Sequence, residues 1–137
     1  MEAKELRIGN YINYNFDNVV YNKGILRVDC DVFTHIKKDG GMLAISPIVL
    51  TEELLLKFGF IKSGTNTDTH WLKCDNEGVS RIGLKQYKEL FNNNHISFDF
   101  NVGGAYSTSS VDIKIEFVHQ LQNLYFALTT EELILNE

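Results

Sequence analysis

The sequence predicts an α+β fold, made mainly of antiparallel sheet with two or three short helices packed on it. Several segments alternate apolar and polar residues with the two-residue period of a strand, and two others carry an apolar stripe at helical spacing, one of them with helix-capping residues at its ends. The chain has 137 residues, of which 44% are hydrophobic, with one proline and no long Ser/Gly/Pro linker. We therefore expect one domain that spans residues 1–137.

Strands and a hairpin are expected in the first part of the chain. Residues 25–33 alternate apolar and polar side chains, as a strand with one buried face does. The Asp-Gly sequence within residues 38–41 can adopt the positive φ angles of a tight turn. This turn predicts a hairpin between residues 33–37 and 42–45.

Two helices are predicted, the first from its ends and its apolar face and the second from its apolar face. Thr51 is suited to cap a helix over residues 51–58, which Gly59 would end in the left-handed conformation. Residues 118–128 place apolar side chains at helical spacing, so this helix is expected to pack on the sheet. Residues 84–91 fit either a third short helix or a strand.

Two further antiparallel hairpins are expected in the second half of the chain. One joins residues 70–74 to residues 79–83, and the other joins residues 96–100 to residues 111–117. Two polar segments that contain glycine, residues 63–69 and 101–110, are expected to be exposed and mobile loops.

Charge is unevenly distributed along the sequence. The formal net charge is −5, and residues 115–137 contain four acids and no base. Duplex nucleic acid requires a basic face that neutralises many phosphates, so the overall charge argues against that partner. Residues 71–88 carry a local charge of +2, which suits a compact anionic ligand held by a few charge-assisted contacts.

The lack of long apolar segments and the cysteine usage indicate a cytoplasmic protein. No apolar run approaches the ~20 residues of a membrane-spanning helix, and the N-terminal residues lack the apolar stretch of a signal peptide. We therefore expect a cytoplasmic protein without a membrane partner. Cys30 and Cys74 lie in apolar patterns and are interpreted as reduced core thiols, with a disulfide as the alternative.

Residues with metal-binding chemistry are few. His70 and Cys74 would share a strand face but lie about 13 Å apart, too far to ligate one zinc ion. A metal site would therefore need Cys30 and His35 as well, and the alternative is a buried thiol beside an edge histidine. We expect no metal and no cofactor.

Catalytic groups are also sparse. Asp29 and Asp31 would lie about 7 Å apart on one strand face, a spacing that carboxylate pairs use and that a solvated face also produces. Hydroxyls within residues 107–110 could pair with a histidine, but no nucleophile elbow or phosphate-loop fingerprint occurs. His119 is interpreted as capping or hydrogen bonding within the fold. The sequence favours a protein that is not an enzyme.

The loop at residues 101–110 is the strongest candidate for a binding site. Backbone N–H groups around its two glycines can cradle a phosphate, while hydroxyls and a tyrosine ring add hydrogen bonds and base stacking. The alternative is an ordinary hairpin loop with scattered surface lysines. The predicted ligand-binding residues are Arg27, Lys37, Lys38, Trp71, Arg81, Gly103, Gly104, Tyr106, Ser107, Thr108 and Ser109.

Three segments of the chain resemble a protein family. They read ELRIGNY at residues 5–11, PIVLTEELLLKFGF at residues 47–60 and VHQLQNLYFALT at residues 118–129. In this order they resemble a family of small uncharacterised proteins of Bacteroidetes and their phages. The resemblance implies a phage or mobile-element setting and a small α+β body that opens with strands and closes with this helix. It implies no reaction.

Three hypotheses of function follow. The first is a phage-associated protein that binds and sequesters a small nucleotide-like anion, such as a host immune signal, and so acts as an anti-defence sponge, with a homo-oligomer interface as one place for the site. The second is a protein-interaction module that inhibits a host protein through a surface that includes residues 115–137. The third is a metal-dependent, phosphodiesterase-like enzyme that uses Asp29 and Asp31.

Overall fold

The computed structural model describes residues 3–15, 24–38, 45–64, 69–74, 80–88, 96–102 and 110–136. Within these residues lie two antiparallel sheets and three α-helices, which confirms the predicted α+β class. In chain order the elements are a 3-10 helix (Ala3–Glu5), β1 (Tyr11–Tyr14), β2 (Gly24–Arg27), α1 (Cys30–Lys38), β3 (Ile45–Ser46), α2 (Glu52–Lys57), β4 (Ile61–Gly64), β5 (Thr69–Cys74), β6 (Ser80–Lys88), β7 (Ile96–Val102), β8 (Ser110–Ile115) and α3 (Val118–Thr129).

The chain forms two compact units. The first unit contains Met1–Val49 and Phe117–Leu133, and the second unit contains Leu50–Glu116 and Ile134–Glu137. Each unit therefore combines two stretches that are distant in the sequence. The single domain expected over residues 1–137 stays a prediction.

A three-stranded sheet and helices α1 and α3 make up the first unit. The strand order is β2-β1-β3, and both pairs are antiparallel. Apolar side chains from the sheet and from α1 are removed from water together, which is the main favourable term in the folding of this unit. The buried core consists of Ile12, Tyr14, Val28, Val32 and Ile45, with Leu6, Leu26 and Phe33 packed against it.

The strand predicted over residues 25–33 is wrong beyond Arg27. β2 ends there, and α1 begins at Cys30. The Asp29 carboxylate accepts the N–H of Val32 at 2.8 Å and so caps the helix. Val28 and Val32 lie four residues apart, a spacing that fits one face of a helix as well as one face of a strand. The hydrogen bond from the Val32 N–H to Asp29 shows that this segment is helical.

Two other predictions that depended on this strand are also wrong. Cys30, predicted to be a core thiol, is exposed at the start of α1, whereas Cys74 is partly buried, and both thiols are free. The hairpin between residues 33–37 and 42–45 is wrong, because residues 33–37 are helical and Ile45 pairs with β1 instead. The Asp-Gly turn itself lies outside the described residues.

A five-stranded antiparallel sheet and helix α2 make up the second unit. The strand order is β4-β5-β6-β7-β8, so strands that are consecutive in sequence are neighbours in the sheet. The β5–β6 and β7–β8 pairs confirm the two hairpin pairings predicted in this half. The segment left open between helix and strand belongs to β6 as far as Lys88. The core contains Leu55, Phe58, Phe60, Trp71, Ile82, Leu84 and Ile115.

The two segments expected to be loops are partly strand. Ser63 and Gly64 end β4, Thr69 begins β5, and Ser110 begins β8. Residues 65–68 and 103–109, to which the expectation of exposure and mobility now applies, lie outside the described residues.

The two predicted helices are confirmed. The Thr51 hydroxyl accepts the N–H of Leu54 at 3.3 Å at the start of α2, and Gly59 follows this helix with a φ of 79°. Helix α3 covers the second predicted helix, and Thr130 ends it in the left-handed conformation with a φ of 61°. The capping residues therefore located α2 correctly, and the apolar spacing located α3.

Candidate functional site

The β7–β8 hairpin carries the loop predicted to bind a ligand. Asn101 of β7 pairs with Ser110 of β8, and Val102 at the end of β7 pairs with Ile82 of β6. Arg81 directly precedes Ile82, so the sheet register brings the backbone of Arg81 to the end of the sheet where this loop begins. The predicted loop residues Gly103, Gly104, Tyr106, Ser107, Thr108 and Ser109 lie outside the described residues.

Trp71 is a core residue of the second unit. It is 0% exposed, and its indole Nε1 donates to Gln86 Oε1 at 2.7 Å. The Lys62 ammonium lies 5.5 Å from the centroid of its ring. The prediction that Trp71 binds the ligand is therefore corrected, because the side chain has no exposed face and packs within the protein.

The remaining predicted basic residues belong to the first unit. Arg27 is exposed at the end of β2, where it is the register partner of Tyr11. Lys37 and Lys38 are the last two residues of α1. Arg27, Lys37 and Lys38 therefore lie in a different unit from Arg81 and the hairpin loop.

The residues considered for metal and carboxylate chemistry do not form the arrangements that this chemistry would need. In the part of the chain that the structure describes, no group of three or more His, Cys, Asp or Glu side chains could hold a metal ion. Asp29 caps α1, and Asp31 lies in the first turn of that helix, so the two do not share a strand face. The phosphodiesterase hypothesis loses the carboxylate pair on which it rested.

A hydrogen-bonded cluster in the first unit joins the first motif segment to the last. We call it the terminal network, and it consists of Arg7, Asn10, Gln122, Asn123 and Glu132. The Arg7 guanidinium forms an ion pair with the Glu132 carboxylate, and its Nε donates to Asn123 Oδ1 at 3.3 Å. Asn10 Nδ2 donates to the same oxygen at 2.9 Å. The cluster fixes α3 against the chain that leads into β1.

Gln122 is fully buried at the centre of the terminal network. Its Oε1 accepts the N–H of Tyr11 at 2.8 Å, and its Nε2 donates to the carbonyl oxygens of Gly9 and Leu133, each at 3.1 Å. All three partners are backbone groups, which would lose a hydrogen bond without this side chain. Gln122 therefore determines where two chain segments lie against α3.

Arg7 and Gly9 explain two positions of the first motif. The Arg7 guanidinium carbon lies 4.1 Å from the centroid of the Phe126 ring, a cation–π contact added to its ion pair. Gly9 has a φ of 95°, and a Cβ added there would lie 2.8 Å from Glu132 Oε2. Both the backbone angle and the lack of space favour glycine.

A second cluster lies in the second unit. We call it the tryptophan network, and it consists of Glu52, Lys62, Trp71 and Gln86. Gln86 accepts the Trp71 indole N–H and donates through Nε2 to Glu52 Oε1 at 2.8 Å. The Lys62 ammonium donates to Glu52 Oε2 at 2.8 Å. Glu52 begins α2, so this cluster fixes the middle motif segment against the sheet.

Several polar residues of the three motif segments thus form hydrogen bonds or ion pairs inside their own unit. Sequence reasoning missed both clusters, because their members are distant in sequence; Arg7 and Glu132 are 125 positions apart. The available signal was the presence of polar residues at inward positions of otherwise apolar segments, such as Gln122 in α3. A polar side chain at such a position indicates a hydrogen bond within the fold more directly than it indicates a ligand-binding site.

His119 differs from the other polar residues of α3. It is 2% exposed, and its Nδ1 has no hydrogen-bond partner, so the expectation that this side chain caps or bonds within the fold does not hold for this nitrogen. Its ring stacks on Phe117, with the centroids 5.9 Å apart and the planes at 10°. Burial lowers the pKa of His119 below its ordinary value, because the charged imidazolium loses hydration there.

No family model, curated protein or solved structure matches the chain. Among the described residues, none of the helices has both the length and the apolar character needed to cross a membrane.

Proposed function

We propose that this protein binds a small anionic, nucleotide-like ligand at the β7–β8 loop and holds it without cleaving it. In the phage setting that the family resemblance implies, the ligand would be a host immune signal, and the protein would act in the host cytoplasm as an anti-defence sponge. The observation that carries this proposal is the register of β6 and β7, which brings Arg81 to the loop end of the sheet.

The chemistry of the loop supports an anion as the ligand. Successive backbone N–H groups around two glycines, together with hydroxyls, suit the oxygens of a phosphate. A guanidinium adds paired N–H donors in a geometry that matches phosphate. Two lysines of the same unit are committed elsewhere, because Lys62 pairs with Glu52 and Lys73 donates to the Phe58 carbonyl. Arg81, whose backbone lies at the loop end of the sheet, is the cation that we assign to the ligand.

The networks support a location outside the motif segments. In both units the described polar side chains of these segments bind mainly to backbone groups or to one another. A loop can present polar groups to a ligand without removing bonds that the fold requires. The glycine- and hydroxyl-rich loop meets this condition.

A ligand screen with one matched pair of variants tests the proposal. Cyclic dinucleotides and ADP-ribose derivatives are screened by thermal shift, and any hit is measured by calorimetry. We expect one class to bind and Arg81→Ala to weaken its binding about tenfold or more, the size of one charge-assisted contact. Lys57→Ala, an exposed lysine that pairs with Glu53, is the control and should bind as the wild type does. No binding by the folded protein would rule the proposal out.

A second candidate function is favoured by the surface of α3. This helix contains no charged residue, and it leaves Phe126 36% and Leu128 47% exposed. Contiguous apolar surface bordered by polar residues marks sites that bind another protein. The observation favours a module that occupies a host protein.

Affinity capture from host lysate separates the two candidates. If the chain is an interaction module, a stoichiometric host protein should be retained by the wild type and lost with Leu128→Glu, without a co-purifying nucleotide. Ile61→Glu provides the matched control, because Ile61 is an exposed apolar residue of the second unit. Equal retention by both variants would contradict this candidate.

A further inference from the structure

His119 is the exception in a helix whose other polar side chains are bonded. It is the second residue of α3 and is almost fully buried. Among the buried side-chain nitrogen and oxygen atoms that the structure describes, its Nδ1 is the one without a hydrogen-bond partner. By contrast, Gln120 accepts the N–H of Phe117 at 3.1 Å, and Gln122 makes three bonds to the backbone.

The surroundings of His119 suit a neutral ring. An imidazolium would carry a second N–H donor, and Nδ1 would have no acceptor for it. The first turn of a helix also has a partial positive charge, which opposes a cation. One backbone N–H of that turn is already bonded, because Val118 donates to the carbonyl oxygen of Ile48 at 2.9 Å.

Charged groups act on the ring in both directions. Burial is the largest influence and lowers the pKa of His119; the Glu5 carboxylate acts in the opposite direction, and the amino terminus of the chain adds to the lowering. The net effect is a proton that binds more weakly in the folded protein than in the unfolded chain. Mild acid therefore favours states in which the ring reaches water.

We propose that protonation of His119 releases the first turn of α3, so that the first unit responds to acid as a conformational switch. The same helix carries Gln122 and Asn123, which hold the backbone of Glu5, Gly9, Tyr11 and Leu133. Loss of the first turn would thus loosen the terminal network and the segment that leads into β1. The switch is independent of the ligand proposed for the second unit.

The direction of the pH dependence follows from linkage. A base whose pKa is lowered by folding stabilises the folded state fully above its unfolded value, about 6.5. As the pH falls through that value toward the lower pKa of the folded state, the unfolded chain takes up the proton first. Stability of the first unit is therefore expected to fall in that window, and the loss is complete below the folded-state pKa.

Two measurements on the wild-type chain test the switch. NMR of the histidine side chains should give a titration midpoint for His119 below about 6.5. Amide exchange in α3, corrected for its intrinsic pH dependence, should accelerate about tenfold or more between about pH 7.5 and about pH 5. A midpoint at or above the ordinary value, or unchanged protection of α3, would overturn the proposal.

A pair of variants assigns the response to this ring. His119→Phe keeps a stacking partner for Phe117 and cannot titrate, so the acceleration of α3 exchange should disappear. His35→Gln removes another histidine of the same unit and should leave the acceleration as in the wild type. If His119→Phe retains the acid response, another group is the sensor and the proposal is wrong. If that variant does not fold, the wild-type titration alone decides.

Discussion

Gln122 shows at the scale of one residue how the first unit is specified. Its amide group is buried and reaches backbone atoms of Gly9, Tyr11 and Leu133. Burying an amide group without hydrogen-bond partners costs free energy. The chain arrangement that supplies those partners is therefore strongly favoured. The apolar spacing of α3 could be read from the sequence. The partners of Gln122 could not, because they depend on which distant segments meet.

Replacement of Gln122 by leucine is expected to be strongly destabilising. Gln122→Leu keeps the volume but leaves up to three backbone groups without partners, so we expect a loss of about 3 kcal/mol in the free energy of unfolding. Gln120→Leu, which removes an exposed contact to Phe117, should cost less than about 1 kcal/mol. Urea unfolding followed by circular dichroism measures both. Equal losses would contradict the structural role of Gln122.

Gln86 has the corresponding role beside the single tryptophan of the chain. Gln86→Leu would leave the buried indole N–H of Trp71 without its acceptor, at a cost of about 1–3 kcal/mol. Denaturant unfolding can be followed by the fluorescence of Trp71, and the midpoint for Gln86→Leu should lie at a lower denaturant concentration than that of the wild type. Glu53→Gln, an exposed change in α2, serves as the control and should leave the transition where it is. An unshifted transition in Gln86→Leu would show that the indole bond is unimportant.

At the scale of elements, helix ends were the most reliable sequence signal. Thr51 and Gly59 define α2 because a side-chain acceptor and a left-handed residue satisfy groups that a helix leaves unpaired. The alternation around Val28 failed because short apolar patterns fit two periods, and the cap at Asp29 was the overlooked signal. Antiparallel pairing of β7 with β8 was predictable, since each strand alternates over several residues.

The C-terminal end of α3 offers a test of these end effects. Thr130 adopts a φ of 61°, a conformation that costs a branched side chain more than glycine. We expect Thr130→Gly to be more stable than Thr130→Ala by about 1 kcal/mol, because both lose the hydroxyl and only alanine keeps the steric cost. Thermal unfolding of the two variants gives the comparison. A more stable alanine variant would show that the helix end adopts another conformation.

At the scale of the whole molecule, the structure shows which acidic residues form ion pairs, and composition alone could not show this. Two of the acids in residues 115–137 are paired within their units, since Glu132 binds Arg7 and Glu116 binds Lys114. The acidic segment is therefore less of a free anionic surface than its composition indicates. The division into two units was also unreadable, because no linker composition marks Val49, Phe117 or Leu133.

The proposed site is inferred in part from composition. Glycine and hydroxyl content predicts a loop and its chemistry without tertiary information, and residues 103–109 lie outside the described residues. Whether an aromatic ring is exposed depends on which face of a sheet becomes covered, and Trp71 proved to be buried. The neighbourhood of Arg81 depends on strand register, which the sequence of β6 alone does not contain.

Native mass spectrometry with the nucleotide panel tests the proposed binding function most directly. The folded chain is mixed with cyclic dinucleotides and ADP-ribose derivatives, and the mass of each assembly is recorded for the wild type, Arg81→Ala and Lys57→Ala. We predict a stoichiometric adduct with one ligand class for the wild type and Lys57→Ala, and a much smaller adduct for Arg81→Ala. No adduct in any mixture, or an equal adduct in all three proteins, would contradict the assignment of this site.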